Sequence, residues 1–253
     1  MIYLSKNGQD EYVNMFALGC GVVPTNTTEF DYAASRDPIV LRGILNGVIR
    51  QCLADSRTFY YIDTGYFGNT RFKNWHRIVK NNLQHSEIVS RPADRFERFN
   101  KKFQPWKKTG KTVVVAAPDE KPCKFYGIDL EQWIQNTVDT IKKHTDRPVV
   151  VRRRSKHRID RIKNDTLESA LKDAWALVTY NSVAATESVF LGVPAFTLAP
   201  ANAADPVSCH DLAMIESPFY PDQDLLHAWA CHLAYGQFHI DELKDGTAWR
   251  YLP

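Results

Sequence analysis

The stretch LVTYNSVAATESVFLGVPAF, residues 177–196, decides the fold class of this 253-residue chain. An apolar run ends at Tyr180, an Asn-Ser turn follows it, and small and apolar residues at helical spacing then continue to Gly192. A second short apolar run, VPAF, begins directly after that glycine, a residue type that commonly ends helices. The order strand, turn, helix, strand is the repeating unit of a parallel α/β sheet.

The segments before this stretch repeat the alternation of strand and helix. KTVVVAAP (111–118) is a continuous apolar run of the kind that lies buried on both faces of a parallel sheet, and PVVVR (148–152) indicates the next strand. Apolar residues at helical spacing fill DLEQWIQNTVDTIKKH (129–144), and TLESALKDAW (166–175) predicts a short helix that begins with a capping threonine. The second half therefore predicts a doubly wound parallel sheet.

Weaker patterns in the first half predict a second domain of the same class. IYLS, PIVL and RTFYYID are strand candidates, LRGILNGVIRQCLADS is amphipathic at helical spacing, and TGYFGN is a loop punctuated by glycines. Residues 70–110 are basic and aromatic, with no clear period. The predicted fold class is α/β, with two Rossmann-like halves whose parallel sheets are flanked by helices.

The predicted domain boundaries follow from these patterns. They give an N-terminal α/β domain at residues 1–110, a Rossmann-like domain at 111–235, whose last helix lies near 222–235, and a C-terminal tail at 236–253.

Composition argues against several other classes of protein. Hydrophobic residues make up 44% of the chain, enough for a packed core and too many for a disordered chain. No apolar run approaches the roughly 20 residues that span a bilayer, so we expect no membrane span, and the first residues lack the pattern of a signal peptide. The five cysteines are widely spread without a C-x-x-C pair, which favours a reducing, intracellular setting over a disulfide framework or a zinc site.

The small net charge of +3 hides an uneven distribution of charge. Residues 71–111 carry twelve Lys or Arg against three Asp or Glu, and residues 142–163 carry ten against two. Residues 164–253 reverse the balance, with three against twelve. Solvated helix faces and loops would give this pattern, and so would an anionic partner for the middle of the chain.

The turn after the strand ALVTY is the first candidate site, because ligands bind at the carboxyl ends of strands in open α/β sheets. Tyr180 ends the strand, and either Asn181 or Ser182 can cap the helix that follows. The helix then begins with small residues, including Ala184 and Ala185, which allow a ligand to approach the backbone. Free N–H groups at a helix N-terminus bind phosphate, so the turn is open to two interpretations, an ordinary cap and a phosphate site.

Glu187 is the least expected residue of the stretch. It lies beyond the third helical position, where a capping-box glutamate belongs. Its neighbours from Val183 to Leu191 are mostly apolar and predict a helix packed on most sides, where an unpaired carboxylate would be costly. The paired hydroxyl groups of a ribose would satisfy the carboxylate. The alternative is that Glu187 belongs to a single solvent-facing stripe.

Cations follow the strand PVVVR. The end of this strand and the loop after it contribute Arg152, Arg154, Lys156 and Arg158. Guanidinium groups delivered beside a helix N-terminus make a strong anion site, because arginine binds phosphate through two parallel hydrogen bonds. A loop of solvated charge is the alternative. Together with the turn and Glu187, these residues indicate a nucleotide diphosphate.

Over roughly residues 111–200, this pattern resembles the donor-binding half of GT-B glycosyltransferases. The resemblance rests on the strand followed by TYNS, the helix with Ala-x-Glu-Ser and the Gly-Val-Pro turn, and capsule Kdo-transferase-like members have a similar segment. It implies that Ser182, Ala184 and Ala185 hold the donor's phosphates and that Glu187 binds its ribose. One or more of the four cations would then stabilise the leaving diphosphate. Nucleotide-sugar epimerases share the motif.

The same resemblance implies a nucleotide-sugar co-substrate, UDP-linked, with no separate cofactor. The first half should then supply the base that takes a proton from the acceptor hydroxyl. Asp63 ends a strand before a glycine loop and is the first candidate, followed by His76 and Asp119. An ordinary strand-end turn would explain Asp63 as well. No DxD-like motif stands in a loop, so we expect no metal site and expect arginine to meet the leaving charge.

Basic and aromatic residues are interleaved in RFKNWHRIVKNNLQH (71–85) and in RFERFNKKFQPWKK (95–108). Such a surface suits nucleic acid, since cations meet phosphates and aromatic rings stack on bases. An anionic polysaccharide or lipid, or an aromatic connector packed in the core, would explain the same pattern. The candidate acceptor contacts are Tyr66, Phe67, Arg71, Lys73, Trp75, Arg77 and Lys80.

The sequence therefore predicts a compact GT-B-type glycosyltransferase that moves a sugar from a nucleotide-sugar to an anionic acceptor. A modified base in duplex DNA is the first candidate acceptor, as for bacteriophage DNA glycosyltransferases, and a surface glycan is the second. A nucleotide-sugar epimerase or hydrolase and a non-catalytic nucleic-acid-binding protein are the alternatives. We expect a cytoplasmic protein, in the host cytoplasm if a bacteriophage encodes it, and the oligomeric state is left open.

Overall fold

The structure, a computed structural model, describes residues 1–27, 30–70, 72–153 and 166–252. The chain forms two compact units, of which unit 1 contains Met1–His85 and His232–Pro253, and unit 2 contains Ser86–Cys231. The boundary after His85, rather than at residue 110, assigns the segment 86–110 to unit 2. Each unit has a β-sheet flanked by helices, which confirms the predicted α/β class.

Strands and helices are numbered here in chain order. The strands are β1 Ile2–Ser5, β2 Thr25–Asn26, β3 Ile39–Arg42, β4 Phe59–Thr64, β5 Trp75–Lys80, β6 Thr112–Ala116, β7 Val149–Arg152, β8 Ala174–Thr179, β9 Ala195–Thr197 and β10 Gln237–His239. The helices are α1 Glu11–Gly19, α2 Asn46–Ala54, α3 Asp94–Glu97, α4 Glu120–Tyr126, α5 Leu130–Lys142, α6 Leu167–Ala170, α7 Ala184–Phe190, α8 Gln223–Tyr235, α9 Ile240–Lys244 and α10 Thr247–Tyr251. Within the described residues, no helix combines the length and the apolar composition that crossing a membrane requires.

Unit 1 is built on a six-stranded mixed sheet with the order β10-β5-β4-β3-β1-β2. β2, β1, β3 and β4 are parallel, and β5 is antiparallel to both of its neighbours. The register sets Asp63 beside Arg77, and sets His76 between Thr64 and Phe238. Because β10 completes the sheet, residues 236–253 form a strand and two helices of unit 1 rather than a separate tail.

One face of this sheet packs against α1 and the C-terminal helices. The buried core of that face consists of Tyr3, Val13, Phe16, Ala17, Val40, Tyr60, Ile62, Ile78, Phe238, Leu243 and Ala248. α1 begins where the Asp10 carboxylate accepts the N–H of Val13 at 3.1 Å. Each large apolar side chain buried here stabilises the unit by roughly 1.5–3 kcal/mol.

Unit 2 is built on a four-stranded parallel sheet with the order β7-β6-β8-β9. All six residues of the central strand β8 are buried. The chain passes outward from β6 to β7 and then crosses back to β8, so the carboxyl ends of β6 and β8 form the topological switch point. Against one face of the sheet, Val113, Val115, Ile141, Trp175, Ala176, Val178, Phe196, Leu212 and Ile215 form a core cluster.

One strand was not predicted, and one predicted helix has a wrong end. Residues 75–80, within the segment that shows no clear period, form the strand β5. Its polar residues His76 and Arg77 are buried, so the strand does not show the apolar pattern that identifies a buried strand in a sequence. The helix predicted to end at Trp175 ends at Ala170, because the residues from Ala174 onward pair with β6.

The basic, aromatic segment 95–108 packs its rings into unit 2. Phe103 stacks on Phe190, with ring centroids 4.6 Å apart and planes 10° from parallel. The N–H of Lys107 donates to the carbonyl of Gly192 at 2.7 Å. The half-buried Phe103 packs against the core of unit 2, in line with the alternative to nucleic-acid stacking that the sequence leaves open.

Gly192 is a position at which a side chain does not fit. Its φ is 71°, and a Cβ would collide with the carbonyl of Pro105. Gly127 has φ of 70° but open space around it. We expect Gly192→Ala to lower the free energy of unfolding by about 3 kcal/mol, since backbone strain adds to overpacking, and Gly127→Ala by about 1 kcal/mol. Urea denaturation followed by circular dichroism tests this. Equal losses would show that the contact with Pro105 is unimportant.

Candidate functional site

Unit 2 brings several predicted donor-binding residues to one edge of its sheet. The carboxyl ends of β6 and β8 lead into residues 117–119 and 180–182, and β7 ends at Arg152 on the far side of β6. Loops at a switch point are where open α/β sheets bind ligands. The candidate donor site therefore lies at the ends of these three strands.

Ser182 closes the turn after β8. Its Oγ accepts the N–H of Ala184 at 3.2 Å, and its carbonyl accepts the N–H of Ala185 at 3.2 Å. The side chain therefore satisfies the start of α7, as an ordinary cap does. A phosphate bound at this turn would share or replace these contacts. The phosphate-binding role of Ser182, Ala184 and Ala185 stays a prediction, as does that of the half-buried Asn181.

Tyr180, which precedes this turn, lies among half-buried aromatic rings. Its ring centroid lies 5.2 Å from that of Tyr126 and 6.0 Å from that of Trp133, with the planes steeply inclined. Burial raises the pKa of Tyr126 to about 12, so its hydroxyl keeps its proton at neutral pH. Tyr126 and Trp133 were absent from the predicted site, because their helices follow a different strand and nothing in the sequence links them to Tyr180.

Glu187 is exposed on a helix that is otherwise packed on most sides, as the sequence predicts. Ala185, Thr186, Ser188 and Val189 are buried around it, so Glu187 lies on the one open stripe of this part of α7. The solvent-facing alternative is therefore the one that the structure shows. An exposed carboxylate is accessible to a ligand, but because water can solvate it, it does not require one.

The electrostatic surroundings of Glu187 are mixed. Desolvation by the neighbouring protein raises the pKa of Glu187, while the charges of Lys101 and Arg152 lower it and Glu168 raises it further. The net direction is upward. Lys101 also lies over the ring of Phe190, with Nζ 4.6 Å from the centroid. Lys101 was not among the predicted site residues, because it belongs to a distant basic segment of the sequence.

The cations predicted to follow β7 separate into two groups. Arg152 is half-buried at the strand end. Arg153, its exposed neighbour, forms a two-pronged ion pair with Glu131, in which both N···O distances are 2.6 Å. Arg154, Lys156 and Arg158 lie outside the described residues. Of the predicted cations, Arg152 is thus the one that the structure places at the candidate donor site.

The three candidate bases do not lie together in one unit. Asp119 is exposed just before α4 in unit 2, whereas Asp63 and His76 lie on the neighbouring strands β4 and β5 of unit 1. Among the described residues, no group of three or more His, Cys, Asp or Glu side chains is arranged to hold a metal ion. The metal-independent mechanism stays a prediction.

Asp63 is held by three donors at the end of β4. Its Oδ2 accepts the Tyr61 hydroxyl at 2.7 Å and Arg77 Nη2 at 3.1 Å, and its Oδ1 accepts the N–H of Thr64 at 2.7 Å. Burial raises the pKa of Asp63, but Arg77, the Tyr61 hydroxyl and the Thr64 N–H outweigh it and leave the pKa lowered. The carboxylate is ionised at neutral pH, and its lowered pKa makes it a weak base.

His76 is fully buried. Its Nε2 donates to the carbonyl of Lys73 at 3.0 Å, which leaves Nδ1 unprotonated, and its ring lies 3.8 Å from that of Tyr12. Burial is the main cause that lowers the pKa of His76 to about 4. Within the described part of the chain, no partner meets Nδ1. A buried imidazole cannot reach an acceptor unless the surrounding structure opens.

Three of the predicted acceptor contacts are buried inside unit 1. Tyr66, Phe67 and Arg77 expose 6%, 5% and 5% of their surface. The N–H groups of Tyr66 and Phe67 donate to Gln237 Oε1 at 2.7 and 3.3 Å. Arg77 donates to two main-chain carbonyls besides the Asp63 carboxylate. These side chains are structural, and they are not available to nucleic acid.

Of the remaining predicted acceptor contacts, the described ones lie in or just before β5. Lys73 is exposed two residues before β5 and Lys80 is exposed at its last residue, and the six-residue strand is roughly 20 Å long. Trp75 between them is half-buried against His239, with ring centroids 5.3 Å apart. Arg71 lies outside the described residues.

Comparisons with known proteins place the fold. No protein-family model matches the chain, and no curated protein matches its sequence. The structure is similar to that of a beta Kdo 2,7 transferase, KpsC of Thermosulfurimonas dismutans, with a TM-score of 0.54 and 11% identity over 98% of this chain and 100% of that chain. A beta Kdo 2,4 transferase structure of KpsC from the same organism matches less well, with a TM-score of 0.48 and 9% identity over 86% and 85% of the two chains. The first similarity shows that the chain has a two-part α/β fold of the kind found in that transferase.

The Asp63–Arg77 pair should make stability depend on pH. A carboxyl whose pKa is lowered on folding stabilises the protein above its unfolded pKa, near 4, and loses this contribution as the pH falls below that value. We expect Asp63→Asn to be less stable than the wild type by about 2 kcal/mol at pH 7, and the difference to shrink between pH 4 and pH 2. Urea denaturation across this range checks it. A difference that does not change with pH would contradict the ion pair.

His76 should remain neutral down to unusually low pH. Its pKa of about 4, against 6.5 for an ordinary histidine, means that the unfolded chain binds a proton that the folded chain does not. Stability from this residue should therefore rise with pH between 4 and 6.5. NMR titration of the imidazole carbon resonances, assigned with a His76→Gln variant, measures the pKa directly. Titration near 6.5 would show that the ring is not buried in solution.

Proposed function

We propose that this protein is a glycosyltransferase that takes its nucleotide-sugar donor at the carboxyl edge of the unit 2 sheet. The proposal rests on the set of residues that lie at the topological switch point of the sheet. A small-residue turn at Ser182 is followed one turn later by the exposed carboxylate of Glu187, and Arg152 ends a nearby strand. A nucleotide diphosphate offers phosphates to the turn and the cation, and hydroxyls to the carboxylate. The fold shared with a Kdo transferase structure supports this proposal.

Each predicted donor contact then has a role. The turn formed by Asn181 and Ser182 and the first N–H groups of α7 hold the phosphates, and Glu187 accepts hydrogen bonds from the ribose. Arg152 stabilises the leaving diphosphate, with further charge from the segment that contains Arg154, Lys156 and Arg158. The charge of Lys101 favours the ionised form of the Glu187 carboxyl. The donor is a UDP-linked sugar in this proposal, and no separate cofactor is invoked.

Asp63 is the proposed base on the acceptor side. Of the two unit 1 candidates, it is the one whose side chain is partly accessible, at 36%, and ionised at neutral pH. His76 is too deeply buried for a direct role in this structure. Because Arg77 and Tyr61 already engage Asp63, a proton transferred to it would weaken both contacts, which limits its strength as a base.

We place a surface glycan ahead of duplex DNA as the acceptor. The burial of Tyr66, Phe67 and Arg77 removes three of the contacts that favoured DNA. Duplex DNA is bound mainly through a row of cations that meet successive phosphates, and the exposed Lys73 and Lys80 are separated by the strand β5. A salt-dependent mobility shift with duplex DNA is the outcome that would restore DNA as the acceptor.

Thermal denaturation with a panel of nucleotides tests the donor site. A ligand that binds the folded chain at 100 times its dissociation constant adds about 2.7 kcal/mol of stability. We expect UDP or a UDP-sugar to raise the melting temperature, and ATP to leave it unchanged. CDP and GDP are also tested, because the protein would recognise the nucleobase through contacts other than those with the phosphates.

Glu187→Gln tests the assigned carboxylate. It should weaken the binding of the stabilising nucleotide by about tenfold, or 1.4 kcal/mol, and leave the stability of the free protein unchanged, because the residue is exposed. Glu168→Gln, the same change at another exposed residue nearby, is the matched control and should bind normally. No stabilisation of the wild type by any nucleotide would refute both a transferase and an epimerase. Conversion of the donor sugar without an acceptor, seen by NMR, would favour the epimerase.

A further inference from the structure

The carbonyl of Ser182 accepts a second hydrogen bond, from a residue in the loop after β9. Asn202 is fully buried, and its Nδ2 donates to the Ser182 carbonyl at 3.3 Å. The first donor is the N–H of Ala185, so the carbonyl receives two hydrogen bonds. Asn202 lies in the loop after β9, and this contact joins that loop to the turn after β8.

The pairing of the two strands explains why the loop reaches the turn. β9 runs parallel to β8, and the hydrogen bonds continue past the strand ends, from the N–H of Leu198 to the carbonyl of Thr179 and from Ala199 to Tyr180. Residues 200–205 therefore begin beside the turn. α7 has seven residues and gains little stability by itself, so contacts from outside the helix have to fix its first turn.

Asn202 is itself held at all of its polar groups. Its N–H donates to Asp205 Oδ2 at 2.7 Å, and its Oδ1 accepts the N–H of Ala204 at 2.9 Å. Asp205 Oδ1 accepts the hydroxyl of the fully buried Thr197, at the end of β9, at 2.7 Å. The proton of Thr197 is used in that bond, so the hydroxyl of Ser208, also 2.7 Å away, donates to Thr197.

This network, Asn202, Asp205, Thr197 and Ser208, leaves little freedom for the asparagine. Burial raises the pKa of Asp205, and hydrogen bonds from Thr197 and Asn202 oppose that rise. A buried side chain that is satisfied at every polar atom holds one rotamer, because any other would leave unpaired donors or acceptors. The Nδ2 group is therefore presented to Ser182 in a single orientation.

We propose that Asn202 is a positioning residue that sets the orientation of the Ser182 turn and, through it, the affinity for the donor. The second half of this inference rests on the proposed function. Ser182 accepts the N–H groups of Ala184 and Ala185, which begin α7. By holding the Ser182 carbonyl in place, Asn202 therefore also holds the start of this helix. A turn held in place before the ligand arrives loses less conformational entropy on binding.

Hydrogen–deuterium exchange tests the positioning without a ligand. Asn202→Ala should speed exchange of the Ala184 and Ala185 N–H groups by about tenfold, since the turn loses its outside support. Ser208→Ala is the matched control, because Ser208 belongs to the same network but does not contact the turn. It should lower the melting temperature and leave these two N–H groups unchanged. Unchanged exchange in Asn202→Ala would overturn the inference.

The variant Asn202→Asp distinguishes two roles of Asn202, positioning of the Ser182 turn and support of its own loop. Aspartate keeps an oxygen that accepts the Ala204 N–H but has no N–H to give to Ser182. It should therefore behave as Asn202→Ala does at Ala184 and Ala185. Wild-type exchange in this variant would show that Asn202 acts on its own loop and not on the turn.

Calorimetric titration with UDP then tests the effect on the donor. We expect the dissociation constant to rise about tenfold in Asn202→Ala and to stay unchanged in Ser208→Ala. Equal weakening in both variants would show a general loss of structure and overturn the link to the donor. If the wild type binds no nucleotide while exchange still responds to Asn202→Ala, the proposed function fails, and with it the role in donor affinity, but the positioning of the turn stands.

Discussion

The central strand of unit 2 imposes the constraint on which the candidate donor site depends. All six residues of β8 are buried, so its N–H and C=O groups have to find partners in neighbouring strands. β6 and β9 supply them on either side, both parallel to β8. Parallel pairing brings the carboxyl ends of these strands to one edge. Ser182 and Asn202 approach each other there because the backbone of β8 is hydrogen-bonded on both sides.

In unit 1 the comparable constraint is the buried charge of Arg77. Arg77 exposes 5% of its surface, and a guanidinium at that depth is tolerated because three acceptors surround it. One of them is Asp63, whose lowered pKa reflects the same pairing. The residue proposed as a base is therefore also part of the packing of the unit. Any catalytic role for Asp63 has to share the carboxylate with Arg77.

The sequence predicted the regular elements of unit 2 better than those of unit 1. β6 and β8 were visible as apolar runs, and α5 and α7 by helical spacing, because burial there is achieved mainly with apolar side chains. β5 was missed because hydrogen bonds and rings, rather than apolar character, accommodate His76 and Arg77 in its interior. Asn202 was missed because its partner Ser182 lies 20 positions away, and no local pattern marks such a contact.

Local sequence by itself determined the α/β class, the turn at Asn181-Ser182 and its place at the carboxyl edge of a parallel sheet. These follow from periodicity and turn chemistry, which act over a few residues. Only the tertiary structure decided that Glu187 is exposed, that Arg77 is buried and paired with Asp63, and that Asn202 supports the turn. Those outcomes depend on which distant segments exclude water from a side chain or meet its polar atoms, and the order of residues along the chain does not show that.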